Sequence, residues 1–231
     1  MEHTEFLVVG AGPGGALTAR ELQRYNKNVL LIESGDNLPL NSCNPYSPLE
    51  MEQKYKFGGL SPTYNNPKIS YVEGHCVGGG SEINSGFYHR TPRDIIESWE
   101  EDNKIRDFSY SDLLKHFKII EKEINVSYLP KSISPAKASL KLKEGADKLG
   151  WQSMEVPRWY KFDSDGAGVK QSMTQTYIKW YIENGGRLIS SLYAYKIINK
   201  NNQWEVLCWN KKTNQNHSIT TKYLFLCGGA I

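Results

Sequence analysis

The sequence contains few cysteines and no long apolar run. Its cysteines are far apart and form no Cys-x-x-Cys pair, which argues against a zinc site and a disulfide framework. No stretch approaches the roughly 20 apolar residues that a membrane-spanning helix needs, so no transmembrane segment is predicted. The N-terminal apolar run is soon broken by Gly and Pro and follows no basic segment, which argues against a signal peptide. A reducing, cytoplasmic compartment is therefore expected. The cysteines are Cys43, Cys76, Cys208 and Cys227.

The chain also lacks runs of like charge, internal repeats and low-complexity segments. Its 28 basic and 25 acidic residues give a net charge of +3, and the lysines are scattered, so no nucleic-acid partner is predicted. Hydrophobic residues make up 39% of the chain and charged residues 23%, as is usual for a globular protein. The 231 residues suffice for one large domain or for one domain with an insertion.

The N-terminal segment predicts a βαβ unit. Residues 6–9 form a continuous apolar run that ends in glycine, which is typical of a buried parallel strand. Residues 14–25 carry apolar side chains at helical spacing, and residues 28–32 form a second buried strand. The first βα turn of a doubly wound sheet is where a dinucleotide usually places its pyrophosphate.

Beyond this unit the chain changes character twice. Residues 38–67 are rich in Pro, Asn, Ser and Tyr and predict irregular structure, and a glycine-rich segment follows within residues 71–92. Four helices are then predicted at 92–101, at 111–124 with Ser111 as N-cap, at 136–149 closed by Gly150, and at 174–184 closed by Gly185. An antiparallel meander at 187–189, 193–198, 204–209 and 218–221 precedes one more buried strand at 223–227.

The first motif is a Gly-x-Gly-x-x-Gly between a strand and a helix. Gly10 permits the tight turn, Gly12 and Gly14 lie where the backbone approaches a pyrophosphate, and Gly15 lets the helix pack on the strand. Glu33 ends the second strand about 20 residues further on, where a carboxylate binds the adenosine ribose hydroxyls. A glycine-rich turn beside a solvated glutamate is the alternative. The acid disfavours the 2′-phosphate of NADP and leaves FAD and NAD open.

A second glycine cluster lies too far along the chain to belong to the same turn. Gly79 and Gly80 are followed by Ser81 and Asn84, which combine close backbone approach with short hydrogen-bonding side chains. This combination suits a flat heteroaromatic ring with polar edges. A purely structural glycine loop explains the same residues equally well.

These motifs together resemble the glucose-methanol-choline (GMC) oxidoreductase family. The resemblance rests on GAGPGG, on the acid in LLIESGD, and on GHCVGGGSEINSGFYHRTP, with support from GVKQSMTQTYIKWYIENGGRLI and YLFLCGGAI. In the family signature the matching positions are Gly79, Gly80, Ser81, Asn84, Arg90 and Asp94. The resemblance implies an α/β fold: an incomplete Rossmann-like FAD-binding domain with a mostly helical insertion at about 92–185 and a small antiparallel meander. It also implies that the chain, 1–231, is a fragment without the C-terminal substrate domain.

The resemblance further implies FAD as cofactor. The first glycine turn and Glu33 would hold the ADP half, while Gly79, Gly80, Ser81 and Asn84 would lie on the isoalloxazine side. Backbone near Ala194 would lie beside adenine, although the family usually has valine there. Some family members attach flavin through a histidine directly before the motif asparagine. Ile83 stands at that position, so non-covalent FAD is predicted; His75 and His89 flank the motif.

The implied activity is oxidation of the CH–OH group of an alcohol, sugar or sterol-like donor, with hydride transfer to flavin N5. The proton acceptor in the family is a C-terminal histidine, and none of the five histidines here lies in a matching context, so no catalytic residue is assigned and the chain alone is expected to be inactive. The electron acceptor, oxygen or another carrier, stays open. Two alternatives remain: a non-catalytic nucleotide-binding protein, and a flavoprotein that uses NAD(P)H, which would require a second Gly-x-Gly-x-x-Gly.

Overall fold

A computed structural model describes residues 2–39, 41–106 and 108–229. The chain forms two compact units: one is built from the segments up to Asn84 and from Ser172 onward, the other is Ser85–Gln171. In chain order the elements are β1 (Glu2–Val9), α1 (Pro13–Arg24), β2 (Val29–Ile32), α2 (Pro48–Lys54), β3 (Ser61–Pro62), β4 (Ser70–Tyr71), α3 (Gly80–Ile83), α4 (Arg93–Asn103), α5 (Tyr110–Glu123), β5 (Val126–Ser127), α6 (Lys137–Lys148), β6 (Arg158–Phe162), β7 (Gly168–Lys170), α7 (Tyr177–Glu183), β8 (Arg187–Ile189), β9 (Leu192–Lys200), β10 (Gln203–Asn210) and β11 (Gln215–Leu226), with 3-10 turns at Lys56–Gly59 and Met173–Gln175.

The first unit is built on a six-stranded sheet of order β8-β2-β1-β11-β10-β9. Strands β8, β2, β1 and β11 run parallel, whereas β11, β10 and β9 form an antiparallel meander. The predicted Rossmann-like α/β fold is thereby confirmed, and so is the antiparallel pairing of the strands predicted at 193–198, 204–209 and 218–221. The prediction that 187–189 belongs to the meander is wrong: this strand is β8, which follows helix α7 and pairs parallel with β2 at the opposite edge of the sheet. Residues 6–9 of β1 and all of β2 are continuous apolar runs rather than alternating ones, because this half of β1 lies between two parallel neighbours and β2 is buried throughout.

One cluster of buried side chains in this unit joins the parallel and antiparallel halves of the sheet. Its members are buried apolar side chains from both halves, packed into one cluster: Leu7, Leu30, Ile32, Leu192, Val206, Cys208 and Ile219. This shared cluster makes the meander part of the first unit rather than a separate subdomain.

The end of the sheet differs from the sequence prediction. The strands predicted at 218–221 and 223–227 are one strand, β11, which pairs antiparallel with β10 in its first half and parallel with β1 from Ile219 onward. Lys222 lies between the two predicted strands, and its side chain is exposed. The neighbouring Tyr223 stacks on Phe6, with ring centroids 4.8 Å apart. A single polar position that faces solvent does not end a strand with partners on both sides.

Two helix starts also differ from prediction. Helix α2 lies inside the segment predicted as irregular, and it begins with the Ser47 hydroxyl accepting a hydrogen bond from Glu50 N and with Pro48 at the first helical position. This Ser-Pro start was a readable signal for a helix. In α5 the N-cap is Ser109 rather than Ser111, because the Ser109 hydroxyl accepts a 3.2 Å bond from Asp112 N.

Helix α7 packs on α1 within the first unit. Gln23 Nε2 donates to the carbonyls of Tyr181 and Asn184 at 2.9 Å, and the Tyr181 hydroxyl donates to Val29 O. The predicted helical segment of about 92–185 thus extends past the second unit, which ends at Gln171. Apolar side chains of α7 bury against the sheet unit because Tyr177, Ile178 and Tyr181 share one face.

The second unit contains α4, α5, α6 and a three-stranded antiparallel sheet, β5-β6-β7. Arg90 forms an ion pair with Glu121 on α5, and the Tyr88 hydroxyl donates to the same carboxylate at 2.9 Å. Burial and this carboxylate raise the pKa of Tyr88 to about 12.

Within the described segments no helix has the length and apolar character required to cross a bilayer.

Candidate dinucleotide site

The first glycine turn, residues 10–15, connects β1 to α1. Gly10 N donates to Ile32 O at 2.8 Å, and Gly10 has a φ of +99° that favours glycine. A Cβ there would also lie 2.5 Å from the carbonyl oxygen of Cys227, so the end of β11 occupies the space beside Gly10. A Cβ at Gly15 would collide with the carbonyl of Gly10, which identifies Gly15 as a packing position.

The N-terminus of α1 is open toward a ligand. Its N-cap is Gly12, no side chain caps it, and Pro13 takes the first helical position. A Cβ at Gly14 would meet nothing within 4 Å. Uncapped N–H groups and the positive end of the helix dipole form a suitable site for phosphate oxygens.

Glu33 fixes the geometry beside this turn. The residue is 8% exposed, and its carboxylate accepts hydrogen bonds from Ala11 N and Gly35 N, both at 2.8 Å, and from the Ser34 hydroxyl at 3.2 Å. A carboxylate has about four lone-pair positions, so one further donor can be accommodated. Glu33 therefore joins the turn to the loop after β2 and keeps capacity for a ligand hydroxyl.

The second glycine turn, residues 78–81, packs directly against the first. Gly78 N donates to Ala11 O at 2.9 Å, and Gly79 has a φ of +54°. A Cβ at Gly79 would lie 2.8 Å from the Cα of Gly12. The two turns touch backbone to backbone, so the sequence motifs that are separated along the chain form one surface.

Ser81 stabilises the second turn through buried hydrogen bonds. It is fully buried, donates from its hydroxyl to Gly78 O at 2.7 Å, and accepts from Met173 N at 3.0 Å. The adjacent Glu82 carboxylate accepts from the hydroxyl of Thr174 at 3.0 Å and from its N–H at 3.3 Å. These bonds tie the turn to the 3-10 segment that precedes α7.

One cavity of about 1100 Å³ joins these parts in the first unit. Small-molecule sites usually measure roughly 300–1,000 Å³, so the space suits a large ligand such as a dinucleotide. The predicted residues that line it are Gly10, Gly12, Gly14, Glu33, Gly79, Gly80 and Ala194. Gly15, Ser81 and Asn84 are predicted site residues that do not line the cavity. Asn84 lies at the end of α3, where its N–H donates to Gly80 O.

The cavity also contains residues that sequence reasoning did not place there. Phe57 is exposed and has a φ of +52°, which is strained for a non-glycine residue. Lys56 pairs with Glu73 at 2.8 Å, and all three residues line the cavity. No local sequence signal identifies them, because Lys56 and Phe57 come from the segment predicted as irregular and Glu73 from the loop after β4.

His75 and Lys211 line the same cavity, with Lys211 Nζ 3.1 Å from His75 Nε2. Burial lowers the pKa of His75, and the positive charge of Lys211 lowers it further. Burial also raises the pKa of the neighbouring Cys76 thiol to about 12, so this thiol is unreactive near neutral pH. Within the described segments no group of His, Cys, Asp and Glu residues could hold a metal ion.

Comparison with known proteins assigns the chain. The GMC oxidoreductase family pattern matches residues 51–231, and a pattern for NAD(P)-binding Rossmann-like domains matches residues 8–43. The chain belongs to the GMC oxidoreductase family. The match covers the second glycine turn and everything after it, whereas the Rossmann-like match covers the first turn and Glu33.

Relatives of this GMC chain are longer than it is. It is 29% identical to an uncharacterized GMC-type oxidoreductase, y4nJ, of Sinorhizobium fredii, over 97% of this chain and 46% of that protein. It is 28% identical to the long-chain-alcohol oxidase FAO4B of Arabidopsis thaliana, over 83% of this chain and 26% of that protein. The chain therefore spans about half or less of the length of these relatives.

Solved structures share the fold. An FAD-dependent oxidoreductase from Chaetomium thermophilum superimposes with a TM-score of 0.75 at 18% identity, over 98% of this chain and 45% of that one. Pyridoxine 4-oxidase from Mesorbium loti gives a TM-score of 0.74 at 17% identity, over 99% of this chain and 50% of that one.

Proposed function

We propose that this GMC chain binds FAD non-covalently and provides the flavin-binding part of an oxidoreductase that acts on the CH–OH group of alcohol donors. The observation that carries the proposal is the convergence of both glycine turns and Glu33 on one cavity. Family membership and the long-chain-alcohol oxidase relative support the donor class.

The residues fit a flavin dinucleotide. Backbone N–H groups at the start of α1 would hold the pyrophosphate, and Glu33 would accept a bond from a ribose hydroxyl. Gly79 and Gly80 form a wall without side chains where a flat ring can approach the backbone, and Ala194 lines the same cavity on β9. When bound, the flavin supplies a two-electron acceptor for the hydride of the donor carbon.

The protein's own residues would bind the flavin cofactor and orient it. Ser81 and Asn84 lie outside the cavity wall, so we assign them to shaping the second turn and the end of α3. Ile83 occupies the position that carries a histidine in covalent family members, and this supports non-covalent attachment. Acid precipitation of the flavin-loaded chain should therefore release flavin into the supernatant; flavin in the pellet would contradict this.

The sharpest test of the binding mode places a charge at Gly14. Because a Cβ at this position has open space, both Gly14→Asn and Gly14→Asp should fold, and an aspartate is favourable at a helix N-terminus. The carboxylate would repel the pyrophosphate, so Gly14→Asp should weaken FAD binding by roughly tenfold or more relative to Gly14→Asn, which has the same size. Flavin fluorescence quenching measures both dissociation constants.

Two results would contradict the proposal. Absence of FAD binding by the folded, unsubstituted chain would remove the cofactor assignment. Bleaching of bound flavin by NADH under anaerobic conditions, with no response of the longer protein to alcohols, would replace the donor class with a reduced nicotinamide.

A further inference from the structure

His75 and Lys211 meet at one end of the cavity, and the proposed function uses neither of them. His75 lies four positions before Gly79, in the loop between β4 and α3 that leads into the second turn. Lys211 begins the turn between β10 and β11. Their ring nitrogen and ammonium lie 3.1 Å apart, and both residues line the cavity. Because the two residues are far apart in the sequence, only the tertiary structure brings their side chains into contact.

The backbone places this pair beside Glu33. The loop after β2 is flanked on one side by His75, whose carbonyl packs against Gly35, and on the other by Ser191, whose N–H donates to Gly35 O at 2.8 Å. Lys211 N in turn donates to Ser191 O at 2.9 Å. The two side chains therefore reach across the loop that follows Glu33, at the end of the cavity where this carboxylate lies.

The direction of the hydrogen bond defines the state of the pair. An ammonium group can only donate, so Lys211 Nζ donates to His75 Nε2, and the imidazole is neutral with its proton on Nδ1. Lys211 retains two further N–H donors and also lies over the Tyr193 ring, 5.9 Å from its centroid. The pair therefore presents an oriented positive charge at the cavity wall.

Other lysines nearby are already matched to carboxylates. Lys56 pairs with Glu73 at 2.8 Å, and Lys212 pairs with Asp36 at 3.3 Å. In the described parts of the chain, by contrast, no ion pair joins Lys211 to a carboxylate within 4.0 Å. The pyrophosphate is assigned to the start of α1, so at the Glu33 end of the cavity the remaining N–H donors of Lys211 would face the adenosine ribose and adenine, which offer oxygen and nitrogen acceptors.

We propose that Lys211, held by His75, binds the ADP half of the dinucleotide at its ribose end and is a further cofactor-binding residue of this site. This inference rests on the proposed FAD site and adds a residue to it. Lys211 is the binding residue, and His75 is a positioning residue that acts through it.

The test compares Lys211→Met with Lys212→Met, which removes the neighbouring charge but not a cavity residue. Dissociation constants for FAD, by fluorescence quenching, and for ADP, by isothermal titration calorimetry, are measured on the purified chain. Loss of a charge-assisted contact should weaken both ligands by the same factor, roughly tenfold, in Lys211→Met, and leave both within about twofold in Lys212→Met.

Two His75 variants examine the positioning role. Gln offers an amide oxygen that can accept from Lys211, whereas Leu cannot, so His75→Gln should retain most of the ADP affinity that His75→Leu loses. Thermal unfolding of each variant separates a change in binding from a change in folding. A merely structural role for His75 would lower the melting temperature in both variants without this difference in affinity.

The outcomes separate this inference from the function on which it rests. If the unsubstituted chain binds neither FAD nor ADP, the proposed function fails. If it binds both, and Lys211→Met binds them equally well, only the role of Lys211 is overturned. A loss of FAD affinity without a matching loss of ADP affinity would also overturn it, because Lys211 would then contact the flavin half.

Discussion

The two glycine turns form one surface but are held in different ways. The first turn is held by its own strand and helix, by backbone bonds such as Gly10 N to Ile32 O, and by Glu33, 22 positions from Ala11. The second turn is held by side-chain bonds to a segment 92 positions further along: Met173 N donates to the buried Ser81 hydroxyl, and the Thr174 hydroxyl donates to the partly buried Glu82 carboxylate.

The first turn is therefore stabilised mainly by contacts that are local in sequence, and the second by long-range contacts. The geometry of the first turn follows from a strand, a tight turn and a helix that are consecutive in sequence. The second turn has its shape only when the residues before α7 are in place. Substitutions in the two turns should therefore differ in whether they disturb the cofactor site alone or also the contact with the α7 region.

The largest effect is expected where the turns touch. Gly79→Ala places a Cβ 2.8 Å from the Cα of Gly12 and forces an alanine to adopt a φ of +54°. Left-handed backbone and overpacking together should cost roughly 2–5 kcal/mol, measured by urea unfolding. Gly80→Ala, at an open position in α3, is the matched control and should change stability by less than about 1 kcal/mol. Equal losses in both variants would show that the contact between the turns is unimportant.

Glu33→Gln examines the first turn next. Two backbone N–H groups donate to this buried carboxylate, and an amide can offer an oxygen to only one of them. The free energy of unfolding should fall by about 1.5–3 kcal/mol, and FAD affinity should fall with it. Glu21→Gln, at an exposed position of α1, should leave both quantities nearly unchanged. A stable Glu33→Gln variant with intact affinity would contradict the proposed role.

Ser81→Ala examines the long-range support of the second turn. The substitution removes a buried donor to Gly78 O and leaves Met173 N without its acceptor, which should cost about 1–2 kcal/mol in urea unfolding. Hydrogen exchange should also rise at residues 172–176, because their contact with the turn is weakened. Ser164→Ala, at an exposed turn of the second unit, provides the comparison. Unchanged exchange there would remove the coupling between the turn and this segment.

The smallest effect is expected for Thr174→Val. The hydroxyl bond to Glu82 is lost, but the side chain is only partly buried and the Thr174 N–H bond is retained. A destabilisation of about 0.5–1 kcal/mol is expected in the same unfolding measurement. A loss as large as that of Ser81→Ala would mean that Glu82, rather than Ser81, is the main support of the second turn.

Sequence reasoning was most successful where the contacts are local. The βαβ unit, the first glycine turn and the position of Glu33 follow from apolar runs, glycine spacing and one acid, and all are present in the structure. It was less successful at 47–54, where irregular structure is predicted instead of helix α2, and at β11, where two strands are predicted instead of one. At 47–54 the content of Pro, Asn, Ser and Tyr predicts irregular structure, although Ser47 and Pro48 begin a regular helix.

The sequence by itself determined the nucleotide-binding class of this protein, because a strand, a glycine turn, a helix and an acid at fixed spacing form the site from neighbouring residues. Only the tertiary structure decided that Gly79 lies against Gly12, that Ser81 supports the turn from behind the wall, and that His75 meets Lys211. These contacts join segments far apart in the chain, and no periodicity or spacing encodes which distant segments pack together. They arise when the sheet forms and its core brings β2, β9, β10 and the second glycine turn to one end of the cavity.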